Sequence, residues 1–136
     1  MKVYLTRKTH FAAAHRLFNP NYSDEQNKET FGLCSNPNYH GHNYNLEVTV
    51  EGEPDPETGY VIDLKYLKKI LNENIIDHVD HKNLNVEVDF LEGINPTVEN
   101  LCIAFWKQLE NKIPNGKLHA IKLYESERNL VEYRGE

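Results

Sequence analysis

Tyr44-Asn45-Leu46-Glu47-Val48-Thr49-Val50-Glu51-Gly52 alternates Leu46, Val48 and Val50 with Asn45, Glu47 and Thr49. Successive side chains on a strand point to opposite faces, so a period of two marks a half-buried antiparallel strand. Directly upstream stands His40-Gly41-His42. Two positions apart on extended chain, His40 and His42 share a face and two imidazoles can converge on one ion, with Gly41 keeping the space between them open. A second strand-like run, Val3 to Ala14, leads into His15, which closes a triad if the two runs pair. Three neutral imidazoles with a fourth position vacant describe a catalytic zinc site, whereas a structural site is closed by four ligands. The ordinary alternative is that these are surface histidines, because His-x-His recurs by chance.

Outward from this stretch the remaining elements follow. Glu53 to Gly59 reads as a turn, and Asp63 caps a helix that carries Leu64, Leu67, Ile70, Leu71 and Ile75 on one face. Asp77 to Gly93 is irregular. Asn95-Pro96-Thr97 opens a second helix with Thr97 as its cap, ending near Pro114-Asn115-Gly116. Leu118 to Tyr124 and Asn129 to Tyr133 alternate again and read as a closing hairpin. Phe18 to Tyr39 reads as a long polar loop, a kind that in a compact domain is functional or disordered. The expected fold is α+β: one domain over residues 1–136, ordered β-β-α-α-β-β, with a four-stranded antiparallel sheet and two helices on one face. Such a sheet leaves two open edges, which invite pairing between copies. Closure into an oligomeric barrel, and hence a homo-oligomer, is expected.

The chain has 136 residues and a formal net charge of −6, which argues against nucleic acid as its main partner. No apolar run approaches the roughly 18 residues of a membrane span. Met1-Lys2-Val3-Tyr4 starts a strand rather than a signal peptide, so a cytoplasmic location is expected. Cys102 falls within an apolar helical run and reads as a buried core residue, while Cys34 lies among Gly, Ser, Asn and Pro. A disulfide between them is not expected in a reducing compartment.

Five further residues carry candidate chemistry. Cys34, six positions before His40, reads as a nucleophile or base, or alternatively as a fourth zinc ligand. Asp80-His81 is either a turn dipeptide or a carboxylate orienting an imidazole for proton transfer. Glu125 follows a strand end, where a carboxylate can grip a guanidine-like ring edge through paired charge-assisted hydrogen bonds. Glu99 stands in the first turn of the second helix, where the helix dipole alone favours an acid. Asp63 is read as a cap rather than a catalyst, and His10, His78 and His119 have no assigned partner.

Several segments together resemble one family over nearly the whole length. They are Phe11-Ala12-Ala13-Ala14-His15-Arg16-Leu17, Cys34-Ser35-Asn36-Pro37-Asn38-Tyr39-His40-Gly41-His42-Asn43-Tyr44, Asp55-Pro56-Glu57-Thr58-Gly59 with Val61-Ile62-Asp63-Leu64, Asp80-His81-Lys82-Asn83-Leu84-Asn85, Pro96-Thr97-Val98-Glu99-Asn100 and Tyr133-Arg134-Gly135-Glu136. The chain resembles the 6-pyruvoyl-tetrahydropterin synthase and 6-carboxytetrahydropterin synthase group. The resemblance implies a tunnelling fold in which trimers form barrels and stack in pairs into a hexamer, with active sites between subunits. It implies zinc on His15, His40 and His42, Cys34 as general base, and Asp80 with His81 completing a proton relay. It also implies that Glu125 anchors a pterin ring, helped by Thr97 and Glu99.

The substrate implied is 7,8-dihydroneopterin triphosphate. The pyruvoyl branch stops after triphosphate elimination and feeds tetrahydrobiopterin; the carboxy branch also releases acetaldehyde and feeds 7-deazaguanine (queuosine) synthesis. The long segment after Leu17 and the step from Cys34 to His40 resemble the pyruvoyl branch. Ala12-Ala13-Ala14 and Asn95-Pro96-Thr97 resemble the carboxy branch. The reading leans to the pyruvoyl chemistry. Its rivals are a non-catalytic zinc-binding oligomer and another pterin or purine enzyme of the same fold, such as an aldolase or cyclohydrolase.

Overall fold

A computed structural model describes all residues, Met1–Glu136. Strand β1 (Val3–His15) and strand β2 (His40–Gly52) pair antiparallel over their full lengths, from Val3 opposite Gly52 to His15 opposite His40. This register follows from the alternation: Phe11 and Ala13 of β1 meet Tyr44 and His42 of β2 on the same buried face. The strand containing the period-two stretch thus starts at His40, before the alternation itself.

Between these strands lies a departure from expectation. Residues 18–39 are not a structureless loop but contain helix α1 (Asp24–Phe31) and a following 3-10 turn, Gly32–Ser35. Ser23 and Gln26 form a reciprocal capping box, and Asp24 and Glu25 occupy the first turn. No apolar stripe runs along α1, so periodicity could not reveal it. It is held instead through Asn27, a buried residue whose carboxamide accepts from the Asn19 N–H (2.7 Å) and donates to the Asn19 carbonyl (3.1 Å).

Helix α2 (Leu64–Leu71) is capped by Asp63, whose side chain accepts from the Lys65 N–H. It continues through a π-turn, Asn72–Ile76, into the short α3 (Asp77–Val79). The stretch Asp77 to Gly93, expected to be irregular, thus holds α3, a 3-10 turn at Asp89–Leu91 and strand β3 (Lys82–Asn83), which pairs parallel with Ala13 and Ala14 of β1. Helix α4 (Val98–Leu109) is capped by Thr97, which accepts from the Asn100 N–H. Strands β4 (Lys117–Tyr124) and β5 (Leu130–Tyr133) form the closing hairpin.

The sheet therefore has five strands, ordered β3-β1-β2-β4-β5, rather than four, and its β3 edge is parallel rather than antiparallel. Two residues long, β3 lacks the length to show as alternation. One core joins the sheet's apolar face to the helices: Phe11, Tyr44, Leu46, Val48, Ile121 and Leu123 meet Leu67, Leu71, Ile75, Leu101 and Phe105. Phe11 stacks on Tyr44 at 4.7 Å between centroids and meets Phe105 edge-on at 5.8 Å. Cys102 is buried in this core. The opposite face is polar, with Thr6 bonded to Thr49 (2.7 Å) and Glu51 paired with His119 (3.1 Å). No helix is long and apolar enough to cross a membrane.

Candidate active site

The β1–β2 register brings three imidazoles together where the two strands end on the core face. Ring centroids of His15, His40 and His42 stand 4.6, 5.0 and 4.9 Å apart, and one ligand atom from each lies within 4.8 Å of the others. Gly41 is not needed to make room: a Cβ there meets only the Ala13 carbonyl oxygen, at an ordinary 3.5 Å. Strand alternation, not the glycine, aims both rings.

His15 is fully buried. Its Nδ1 lies 2.8 Å from the carbonyl oxygen of Pro96, to which it donates, so Nε2 carries the free lone pair. Nε2 of His15, both ring nitrogens of His40 and Nε2 of His42 are buried without a hydrogen-bond partner. Buried polar atoms left unpaired are costly, and four in one spot describe a site built for something to fill it. Burial pushes the His15 imidazole down to about 4, against the opposing pull of the Pro96 carbonyl, with His40 and His42 lowering it further. Burial lowers His42 too, with Glu125 opposing and His40 reinforcing. His15 and His42 are therefore neutral at pH 7, the form that ligates metal. A carbonyl that fixes the tautomer of a ligand histidine is the usual outer support of a metal site. The donor set fits zinc: three imidazoles, with the Cys34 thiol outside the converging group.

Glu125, just past β4, puts Oε1 at 3.7 Å from Nε2 of His42, too long for a hydrogen bond. Cys34, half-buried in the 3-10 turn, has its thiol pushed up by burial and then by the Glu125 charge. Its backbone is fixed to the end of β1, because its carbonyl accepts from the Leu17 N–H at 2.8 Å. Thr97 adjoins Pro96, and its hydroxyl is engaged in capping α4. Glu99 is exposed in the first turn of α4 and makes no ion pair.

Asp80 and His81 do not join this group. Asp80 Oδ1 accepts from the Ala12 N–H (3.0 Å) and lies 3.0 Å from Nδ1 of His81. The Ala12 N–H is the main reason the Asp80 carboxyl sits below the usual range. His81 adopts φ 61 in the left-handed region and is largely exposed, lining an open hollow with Ala12, Ala14, Gly41 and Asn43. It makes no hydrogen bond or ion pair with Cys34.

Sequence reading missed Tyr44 as part of the site. Its buried hydroxyl lies 3.3 Å from Nδ1 of His15 and its ring centroid 5.6 Å from that of His42. Burial, then Glu125 and Cys34, raises its phenol well above the ordinary tyrosine range. The signal was present: Tyr44 follows His42 by two positions on the same strand face.

The model of the 6-pyruvoyl tetrahydropterin synthase family matches residues 4–136. The chain is 45% identical over 132 residues to 6-pyruvoyl tetrahydrobiopterin synthase of Homo sapiens, spanning 97% of this chain and 91% of that protein. It is 28% identical over 145 residues to 6-carboxy-5,6,7,8-tetrahydropterin synthase of Rickettsia typhi, spanning 93% and 96%. The solved structure of 6-pyruvoyl tetrahydropterin synthase from Caenorhabditis elegans superposes with a TM-score of 0.94 at 40% identity, covering 100% of this chain and 97% of that one. With three imidazoles converging at the end of β1 and β2, this chain belongs to the 6-pyruvoyl tetrahydropterin synthase family and is an enzyme of pterin chemistry.

Proposed function

We propose that the protein is a zinc-dependent lyase that converts 7,8-dihydroneopterin triphosphate to 6-pyruvoyl-tetrahydropterin with elimination of triphosphate. The observation that carries this reading is the three-histidine cluster with unpartnered ring nitrogens, set beside Glu125 and Cys34. The much higher identity to the human pyruvoyl enzyme than to the Rickettsia carboxy enzyme favours the pyruvoyl product.

In this reading His15, His40 and His42 hold the metal. Bound there, zinc supplies Lewis acidity to the side-chain hydroxyls of the substrate and a positive charge that favours a nearby thiolate. Glu125 accepts hydrogen bonds from the N–H edge of the pterin, with Thr97 and Glu99 contributing to the same ring site. Cys34 takes protons from side-chain carbons that bear hydroxyls. The electron pair moves into the ring, so the ring is reduced as the side chain is oxidised, and the triphosphate departs with its bonding pair. Asp80 and His81 move protons to and from this centre.

Because His81 faces solvent rather than Cys34, we assign the complete site to an assembly, a dimer of trimers whose sheets close into barrels. β3 covers only Ala13 and Ala14, so the rest of β1 is a long open edge, and this supports pairing between copies.

The test is mass spectrometry of products after zinc-loaded protein is incubated with the substrate, with acetaldehyde trapped. A pyruvoyl product without acetaldehyde is expected. A carboxy product with acetaldehyde assigns the chain to the deazaguanine branch. No turnover favours the non-catalytic zinc oligomer.

A further inference from the structure

One side chain outside the chemistry joins the segments that carry it. Asn85 is half-buried just past β3, and its carboxamide grips the backbone of Arg16 from both sides: Oδ1 accepts from the Arg16 N–H and Nδ2 donates to the Arg16 carbonyl, each at 2.8 Å. The amide orientation is fixed by its partners, since a backbone N–H only donates and a carbonyl only accepts.

Residues 80–85 run alongside β1 as a ladder. The Ala12 N–H donates to Asp80 Oδ1, the His81 N–H to the Ala12 carbonyl and the Leu84 N–H to the Ala14 carbonyl. Where the two backbones part after Ala14, the Asn85 side chain supplies the next pair of bonds. The segment it clamps is a hub. His15, a metal ligand, immediately precedes Arg16. The Leu17 N–H holds the Cys34 carbonyl at 2.8 Å, and Arg16 Nε donates to the Ser35 carbonyl at 2.8 Å. The Phe18 N–H reaches the Asn95 side chain, just before the Pro96 carbonyl that orients His15.

We propose that Asn85 is a positioning residue for the reaction, clamping Arg16 so that Cys34 and His15 keep their mutual placement. The proposal rests on Cys34 being the general base. Asn85 makes no hydrogen bond to the ligand cluster or to Cys34, so its removal is expected to leave metal and substrate binding in place and to act on the alignment of the base. Small misplacements of reacting groups carry large rate penalties, so Asn85→Ala is expected to lower kcat by about ten- to a hundred-fold. KM is expected to stay within about two-fold, because uniform binding is untouched. Asn85→Asp keeps the acceptor for the Arg16 N–H and loses the donor to its carbonyl, and its kcat is expected between wild type and Asn85→Ala.

The experiment measures kcat, KM, bound zinc and thermal midpoint for both variants in the assembled enzyme, with kcat expressed per folded, metal-loaded chain. The graded fall in kcat at near-constant KM and zinc content supports the clamp. A kcat within about two-fold of wild type in both variants overturns it, as does a fall matched by equal loss of metal or folded protein. Cys34→Ala, assayed alongside, separates the two readings. Full turnover by Cys34→Ala removes the base assignment, whereas an inactive Cys34→Ala beside unaffected Asn85 variants removes only the clamp.

Discussion

Nε2 of His42 stands 3.7 Å from Oε1 of Glu125, a contact in which neither atom is tied to the other by a hydrogen bond. His42 is held neutral by burial, so this is not an ion pair, and both groups keep their capacity for other partners. In the proposed reading the pterin edge and the metal would have adjacent anchors, supplied by the end of β4 and by β2.

Glu125→Gln removes the charge while keeping the shape. A carboxylate gripping two ring N–H groups contributes more than a neutral amide, so kcat/KM is expected to fall about ten- to a hundred-fold. Glu125 also raises the Cys34 thiol, second to burial. Without that negative charge the metal-free variant forms thiolate at lower pH. Alkylation of Cys34 followed against pH is expected to show a midpoint below that of metal-free wild type. An unmoved midpoint breaks the electrostatic link between the two side chains.

Cys34→Ala separates base from ligand. The thiol lies outside the converging donor atoms, so zinc content measured by metal analysis is expected to match wild type. Loss of a positioned general base is expected to reduce kcat by about 10²–10⁴-fold. A variant that loses its zinc along with its turnover makes Cys34 a fourth ligand instead.

The histidine cluster was legible because the information is local: a period-two strand fixes the facing of His40 and His42, and pairing with β1 needs only one register to add His15. Asp63 and Thr97 as helix caps were legible for the same reason. Helix α1 was not, since it carries no apolar stripe, although Ser23-Asp24-Glu25-Gln26 spells its capping box. Strand β3 was too short to alternate, and the adjacency of Glu125 to His42 depends on β4 pairing with β2. The Pro96 carbonyl that orients His15 is a backbone group, invisible to any reading of side-chain types.

Thr97 and Glu99 sit in one helical turn and are expected to respond differently. The Thr97 hydroxyl accepts from the Asn100 N–H at 3.1 Å, so Thr97→Ala loses a cap at a cost of about 1 kcal/mol. Thr97→Ser keeps the cap and is expected to restore the thermal midpoint. Glu99 is exposed and unpaired, so Glu99→Gln is expected to leave stability within about 0.5 kcal/mol. Its effect belongs on KM, through the ring site proposed for it. A Glu99→Gln enzyme with unchanged KM returns Glu99 to the role of a helix-dipole acid.

The buried His15 imidazole makes the stability of the metal-free protein depend on pH in a defined window. Its value falls from 6.5 to about 4 on folding, chiefly through desolvation. Below 6.5 the unfolded chain takes up a proton that the folded chain refuses, so stability contributed by neutral His15 is complete above that point. It is lost as pH falls from about 6.5 towards 4, by an amount on the order of 3 kcal/mol. His42 shifts in the same direction and adds to the slope. Asp80, lowered from its ordinary 3.8, is lost only at more acidic pH and falls outside the window. Urea midpoints of chelator-treated protein at pH 7.5, 6 and 5 are expected to decline in that order, and His15→Asn is expected to flatten the decline. Bound zinc deepens the stability above the window, because it binds only deprotonated imidazoles, and steepens its loss within it. A metal-free protein whose urea midpoint is flat across this range has its His15 ring hydrated or charged, and a buried neutral His15 is then wrong.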